Sequence, residues 1–569
     1  MQKRWILSPQ DNSLARRIAE THSLSPILAQ ILVNRSLTDD EKIQHFLKPS
    51  FRQLPDPSLM KGMDAALSRL VRAVRQKEKI TIYGDYDVDG TTATALLVSF
   101  FQAMGAAVDY YIPHRLREGY SLNAEALQKI KQKGTQVIIT VDNGISAVQE
   151  AEVAQSLGLD LIITDHHEPP PQLPQALAIL NPRQNDDYFP AKELAGVGVA
   201  FYLMMALRRA LREDGVSNDS ELNLKQFLDL VALGTVADMA PLVGVNRILV
   251  REGLQLMSQT PRLGLRALMQ VAGVDGEVSA GQIGFRLGPR INAAGRLDDA
   301  SLGVRLLLSQ DREECERLAS ELNQANEQRQ RLEDQIVEEA TAQIEREQIH
   351  NHYRSLVLKG DDWHPGVVGI VASRLVEKYH LPSIVLTRDH KGLKGSARSI
   401  RNFNLVEALQ ECADLLEKFG GHRYAAGLSC APEKFARLVL RFDEIVRHAL
   451  CEEDFLPSLK IDAESDLSAI DAKFLEELKH LEPLGLGNPE PLLALRGVKV
   501  QQSRVVGEKH LKLQVEHQQR RFGAIGFRLA EKMPPIGSSV DLAFSPEWNE
   551  WNGQKDIQLR ISDLRCLKS

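Results

Sequence analysis

Three short apolar runs set the rhythm of the first half of the chain, each closed by an acid and followed by a helical pattern. Ile80-Thr81-Ile82-Tyr83 precedes Asp85, Val137-Ile138-Ile139-Thr140-Val141 precedes Asp142, and Leu161-Ile162-Ile163-Thr164 precedes Asp165. Apolar runs of this length alternating with helical stretches predict a parallel α/β sheet. Ligands of such sheets bind beyond the carboxyl ends of the strands, so acids placed there converge on one crevice although they are distant in sequence.

The pattern changes several times along the chain. Residues 1–55 predict a helical N-terminal lead-in that ends in a segment broken by Pro49, Pro55 and Pro57, and no chemistry is assigned to it. The parallel-sheet domain is expected over 56–309. Leu318, Leu322, Ala325, Leu332, Ile336, Ala340 and Ile344 recur at helical spacing and predict a long connecting helix within 310–350. At about 57 Å it is long enough to join two domains, although packing along one domain explains the stripe equally well. Strand-like Ser355–Leu358 and Ser383–Leu386 around a helical Val367–Tyr379 predict a second α/β domain over 351–452. Short alternating strands at Leu511–Val515, Phe522–Phe527, Val540–Phe544 and Ile557–Ile561, with a turn at Asn552-Gly553, predict an OB-like β-barrel over 453–569.

Composition narrows the function classes. A chain of 569 residues exceeds one hydrophobic core. Its net charge of −7 argues against coating nucleic acid by bulk electrostatics, so phosphate contacts must be local. The five cysteines are scattered without a C-x-x-C pair, which suggests neither a disulfide framework nor a thiolate zinc site and fits a reducing cytoplasm. The first residues hold too few apolar side chains for a signal peptide, and no run approaches the roughly 20 apolar residues of a membrane span.

The chemistry concentrates at the strand ends. Asp85, Asp87 and Asp89 stand on alternate residues of Gly84-Asp85-Tyr86-Asp87-Val88-Asp89-Gly90; on an extended segment they point one way and repel unless a cation neutralises them. An Asx-rich turn is the plainer explanation, and a calcium loop of the EF-hand kind lacks its closing Glu because position 96 is Leu. Asp165-His166-His167 adds two imidazoles, while Asp142-Asn143-Gly144 and Ala237-Asp238-Met239 add carboxylates. Oxygen donors with imidazole suit Mn²⁺, with Mg²⁺ able to substitute, and two such ions would activate water for in-line displacement on phosphorus.

Taken together, Asp85-x-Asp87-x-Asp89-Gly90, Asp142-Asn143-Gly144, Asp165-His166-His167 and Gly234-Thr235-Val236-Ala237-Asp238 resemble the motifs of the DHH phosphoesterases, in order. Gly420-Gly421-His422 resembles the signature of their DHHA1 companion domain, and the barrel suits the branch that degrades single-stranded DNA from its 5′ end. The resemblance implies metal ligation by Asp87, Asp89, Asp142, His166 and Asp238, with Asp85, Asp165 and His167 in or beside the catalytic cluster. It also implies DNA contacts from Arg115 and Tyr120, and it places the 5′-phosphate end at Ser396 and Arg398 with Gly421 and His422. Arg290, Asn292 and Arg296 surround small residues in a segment suited to close backbone approach and are expected to contact DNA as well, whereas Arg117 reads as a solvated turn. The expected protein is a monomer that passes one strand between its α/β domains, with a single-strand-binding protein and a helicase as partners. A DHH phosphatase of short oligonucleotides or cyclic dinucleotides would leave the region after Leu456 unexplained, and a non-catalytic replication scaffold would have lost its ligands.

Overall fold

The computed structural model describes residues 3–115, 118–119, 121–215, 222–297, 299–390, 392–551 and 553–567. Arg117, Tyr120 and Asn552, singled out above, lie outside the described residues. The chain divides into two compact bodies, one of Leu7–Asn323 with Lys460–Ser569 and the other of Met1–Ile6 with Gln324–Leu459.

The first body is built on β1 (Ile80–Gly84), β2 (Val108–Tyr111), β3 (Val137–Val141), β4 (Asp160–Thr164) and β5 (Ala178–Leu180), in the order β2-β1-β3-β4-β5. Every pairing is parallel. β1 and β3 are buried at every position, which is why they read as unbroken apolar runs rather than as alternation. The helix α1 (Val88–Ala103) is likewise apolar on nearly all sides and is enclosed by β1, α2 (Gly196–Glu213) and α3 (Leu228–Ala237). A π-helical turn at Ile283–Leu287 runs into α4 (Gly288–Leu297).

The predicted long helix is α5 (Arg312–Arg346). Leu318 and Leu322 join the core of the first body, and Ile336, Ala340 and Ile344 join a core of the second. In the second body α6 (Val368–Tyr379) connects β6 (Leu356–Gly360) to β7 (Ser383–Asp389), followed by β8 (Gly392–Arg398), β9 (Lys418–His422) and β10 (Ala425–Cys430). The sheet order is β9-β10-β8-β7-β6, and only β6–β7 is parallel. The segments around Ser396 and Gly421 are therefore strands. Gly395 serves close packing: a Cβ there would meet the Val385 carbonyl at 2.0 Å.

The C-terminal part of the first body is a barrel of β11 (Leu493–Val506), β12 (His510–His517), β13 (Arg520–Gly526), β14 (Ser539–Trp551) and β15 (Gln554–Cys566). Its order β11-β12-β13-β15-β14 closes through β11–β14, and β13–β15 is its one parallel pair, the topology of an OB-fold. The N-terminal helices do not stand apart. Ile18, Leu28 and Leu32 share one core with Leu495, Leu542 and Phe544 of the barrel. A buried arginine, Arg247 of the helix Gly244–Met257, reaches the same region, donating to the carbonyls of Leu481, Glu482, His480 and Phe46 with its guanidinium 4.0 Å over the Phe46 ring. Among the described residues no helix is long and apolar enough to cross a membrane.

Candidate metal centre

The carboxyl ends of β1, β3 and β4 deliver their acids to one place, and the end of α3 adds another. β1 stops at Gly84, so Asp85 leaves directly from the strand, whereas Asp87 is the N-cap of α1 and accepts from the Gly90 amide at 3.0 Å. Asp89 lies in the first helical turn. The three acids thus straddle a strand end and a helix start instead of alternating along one extended segment, because the N-cap turns the chain at Asp87. Gly90 permits that turn, since a Cβ there would meet the Asp85 amide nitrogen at 2.6 Å. Asp89 is fully buried, and its two oxygens accept from the Gly196 and Val197 amides at 2.6 and 2.8 Å at the start of α2.

Asp142 follows β3 with φ +62°. Its neighbour Asn143 donates to the Tyr83 and Val141 carbonyls, tying the ends of β1 and β3. His166 Nε2 lies 3.1 Å from Asp142 Oδ1, 3.8 Å from Asp238 Oδ2 and 3.9 Å from Asp89 Oδ2. Three overlapping trios each offer three donor atoms within 4.8 Å of one another: Asp142, His166 and His167; Asp89, His166 and Asp238; Asp85, Asp87 and Asp142. Asp165 has a different place. Its carboxylate accepts from the amides of Ile145, His166 and His167 and from the His167 ring at 2.7 Å, so it fixes the histidine pair and does not point into the cluster.

The electrostatics are out of balance in one direction. Burial, then the Asp87 charge, push the Asp85 carboxyl well up; burial, then Asp89, Asp87 and Asp238, do the same to Asp142. Asp238 is raised by burial and by Asp89, and Asp89 is pushed up to about 7 by burial and Asp87. Burial pulls His166 down to about 3 and keeps its ring neutral, the form that ligates metal. Burial also lowers His167, but the Asp165 carboxylate, with Asp87 and Asp85, more than offsets it and raises the ring. The Asp85 Oδ1 atom is buried without a hydrogen-bond partner among the described residues. Carboxylates this close, this buried and this poorly compensated fit divalent cations, and the mixed oxygen and imidazole donor set fits Mn²⁺ or Mg²⁺.

The remaining predicted contacts fall in several settings. Arg115 lies 4.9 Å over the Tyr86 ring beside Asp85. Asn292 accepts from the Val88 amide at 3.2 Å, so this side chain braces the acidic loop. Arg290 donates to Asn323 and to the Arg286 carbonyl, and Arg296 acts on Tyr86. These three stand on the helix α4, whose Gly295 gives close approach: a Cβ there would lie 2.6 Å from the Tyr86 carbonyl. In the second body Arg398 Nη1 donates to Ser396 Oγ at 3.0 Å, and Gly369 in the first turn of α6 leaves room for both. Arg398 and His422 flank Ala425 on adjacent strands and so share one side of the sheet, while Gly421, at φ +150°, has no room for a Cβ against the Ala425 carbonyl.

A parallel sheet whose strand ends pool carboxylates and a DHH histidine pair is the architecture of the DHH phosphoesterases. The DHH family N-terminal domain matches residues 79–235, the DHHA1 domain 352–448 and the RecJ OB domain 461–563. The chain belongs to the RecJ family. It is 41% identical over 567 residues to the single-stranded-DNA-specific exonuclease RecJ of Bacillus subtilis, an alignment covering 98% of this chain and 70% of that protein. Identity to the RecJ exonuclease of Salmonella typhimurium is 39%, covering 98% and 99% of the two chains. The crystal structure of Thermus thermophilus RecJ in complex with Mn²⁺ superimposes with a TM-score of 0.84 at 31% identity, covering 100% of this chain and 80% of that one. RecJ of the same organism with Mg²⁺ gives 0.78 at 30% identity.

Sequence reasoning missed the backbone amides of Gly196 and Val197, which fix Asp89, and missed Asn181 and Arg183 beyond β5. A strand of three residues, Ala178–Leu180, is too short to announce itself by periodicity, although Asn181 follows it as Asp142 follows β3.

Proposed function

We propose that this protein is a single-strand-specific 5′-to-3′ DNA exonuclease that releases mononucleotides in repair and recombination. The observation that carries the reading is the cluster of Asp87, Asp89, Asp142, His166 and Asp238 at the sheet's carboxyl edge, where burial and neighbouring acids push Asp89, Asp142 and Asp238 up, in a chain aligned nearly end to end with single-strand-specific exonucleases. These five residues would hold two Mn²⁺ or Mg²⁺ ions, which when bound supply an activated water and neutralise charge developing on phosphorus. Asp165 holds the His167 ring, the α2 amides hold Asp89, and Asn292 holds Val88, the first residue of α1. Asp85, with one buried oxygen free of hydrogen bonds among the described residues, completes the donor set.

Arg115 takes a strand phosphate by its planar fork, with Tyr120, Arg290 and Arg296 as further contacts. Ser396, Arg398, Gly421 and His422 receive the 5′-phosphate end, supported by the Arg398–Ser396 hydrogen bond and the adjoining helix start of α6. The barrel adds an OB surface of the kind that grips single strands. The protein works as a cytoplasmic monomer beside a single-strand-binding protein and a helicase.

The test is hydrolysis of single-stranded DNA labelled separately at each end, with Mn²⁺, beside the same strand in blunt duplex and beside the Asp142→Ala variant. Early release of the 5′ label from single strands, lost in the variant, supports the reading. Hydrolysis confined to short oligonucleotides or cyclic dinucleotides would make the protein a DHH phosphatase, and no hydrolysis of any substrate would make it a scaffold.

A further inference from the structure

The acidic crevice has a cation on each of two flanks, and sequence motifs pointed to only one of them. Arg115 acts on Asp85, whereas Arg183 acts on Asp238 and His166. Arg183 lies just past β5, at the same carboxyl edge that supplies the acids. It is tied to the histidine motif by Asn181, a fully buried residue whose Oδ1 accepts from the Arg183 amide at 2.8 Å while its Nδ2 donates to the His167 carbonyl at 2.9 Å. The guanidinium plane is set by Nε, which donates to the Lys192 carbonyl at 3.2 Å. Nη1 meets Glu168, a mostly exposed carboxylate and hence a weak, exchangeable partner, and Nη2 makes no hydrogen bond among the described residues. Arg183 lines an open depression of 540 Å³ together with Glu168, Gln184, Asn185, Asp187, Lys192 and Glu193. The neighbouring Lys192 is already engaged, since its ammonium donates to the Pro182 and Asp187 carbonyls.

We propose that Arg183 is a phosphate-positioning residue on the Asp238–His166 flank, its guanidinium taking a non-bridging oxygen of the strand being cut. A planar fork with one edge fixed and the other open suits that role, and a fixed donor aimed at a phosphate oxygen positions the ester without entering the cation cluster. The inference rests on the exonuclease reading above and adds a residue to it.

The test compares wild type, Arg183→Ala and Arg183→Lys as full chains on 5′-labelled single strands with Mn²⁺. Arg183→Ala should lose about 10²-fold in kcat/KM, with the wild-type Mn²⁺ activation midpoint and melting temperature. Millimolar guanidinium should restore part of that loss, and Arg183→Lys should fall between the two because it keeps the charge but not the fork. An unchanged kcat/KM in Arg183→Ala would overturn the assignment. So would a loss that guanidinium does not restore and that comes with a weakened Mn²⁺ midpoint or a lower melting temperature, the mark of a structural role. Inactivity of the wild type on single strands would contradict the exonuclease reading and Arg183's role with it, whereas an active wild type with an indifferent variant removes only the latter.

Discussion

The first body buries charge in two places and treats it in opposite ways. At Arg247 a guanidinium with 2% exposure is met by four carbonyls and an aromatic ring, and only Nε is left without a partner among the described residues. Burial lowers its pKa to about 9, yet it stays charged at neutral pH. At the strand-end crevice, Asp85, Asp89 and Asp142 are buried as deeply, but they face one another and a neutral imidazole. A buried charge with its partners in place is structural. A buried set of like charges costs stability and persists where a cation completes it. Degree of burial does not separate the two sites; the presence of compensation does.

That contrast can be broken most sharply at Asp142. Asp142→Ala should lower hydrolysis of single-stranded DNA by more than ~100-fold, beyond the usual effect of groups that merely support a ligand. Asp142→Asn should raise the melting temperature of the metal-free protein, because it removes one of the repelling charges. Arg247→Ala should do the reverse, costing about 3–5 kcal/mol in urea unfolding by leaving buried carbonyls without their donor, while activity per folded molecule is retained.

A pH series distinguishes the sites further. Asp89 ionises at about 7 in the folded protein against an ordinary value of 3.8. Below the ordinary value it is protonated in both folded and unfolded chains, so its contribution to stability is fully present there. That contribution is lost as pH rises through about 7, because the folded carboxyl then ionises against burial and Asp87. The metal-free protein should therefore lose melting temperature between pH 4 and about 7, and Mn²⁺ should reverse the trend by favouring the ionised form. The smallest effect is expected at Asn292→Ala, about 1 kcal/mol for the hydrogen bond to Val88, read by the same unfolding assay.

The sequence displayed the crevice better than it displayed the supports around it. Acids that end buried strands are visible because both the apolar run and the polar stop are local, and so Asp85, Asp142 and Asp165 could be placed at one edge from the pattern alone. Local pattern could not show that Asp87 caps α1, that Asp165 spends its oxygens on amides and His167, or that Asn292 turns inward to Val88. Those depend on contacts across more than a hundred residues in the case of Val88 and Asn292. The barrel's later strands were legible from alternation, but β11 was not, since its first three residues are all buried and Gly497 breaks the pattern. Nor could periodicity tell that Ile18 and Leu28 belong to the barrel's core, because an amphipathic face does not name what covers it.

The central claim is that the crevice is an incomplete charge site which divalent cations complete. Calorimetric titration of Mn²⁺ into the metal-stripped full chain at neutral pH tests it most directly, with Asp142→Ala as the comparison. The account predicts saturable binding of two ions with proton release, since raised carboxyls must give up protons to bind metal, and loss of at least one ion in the variant. Absence of binding, or binding indifferent to Asp142, would contradict it.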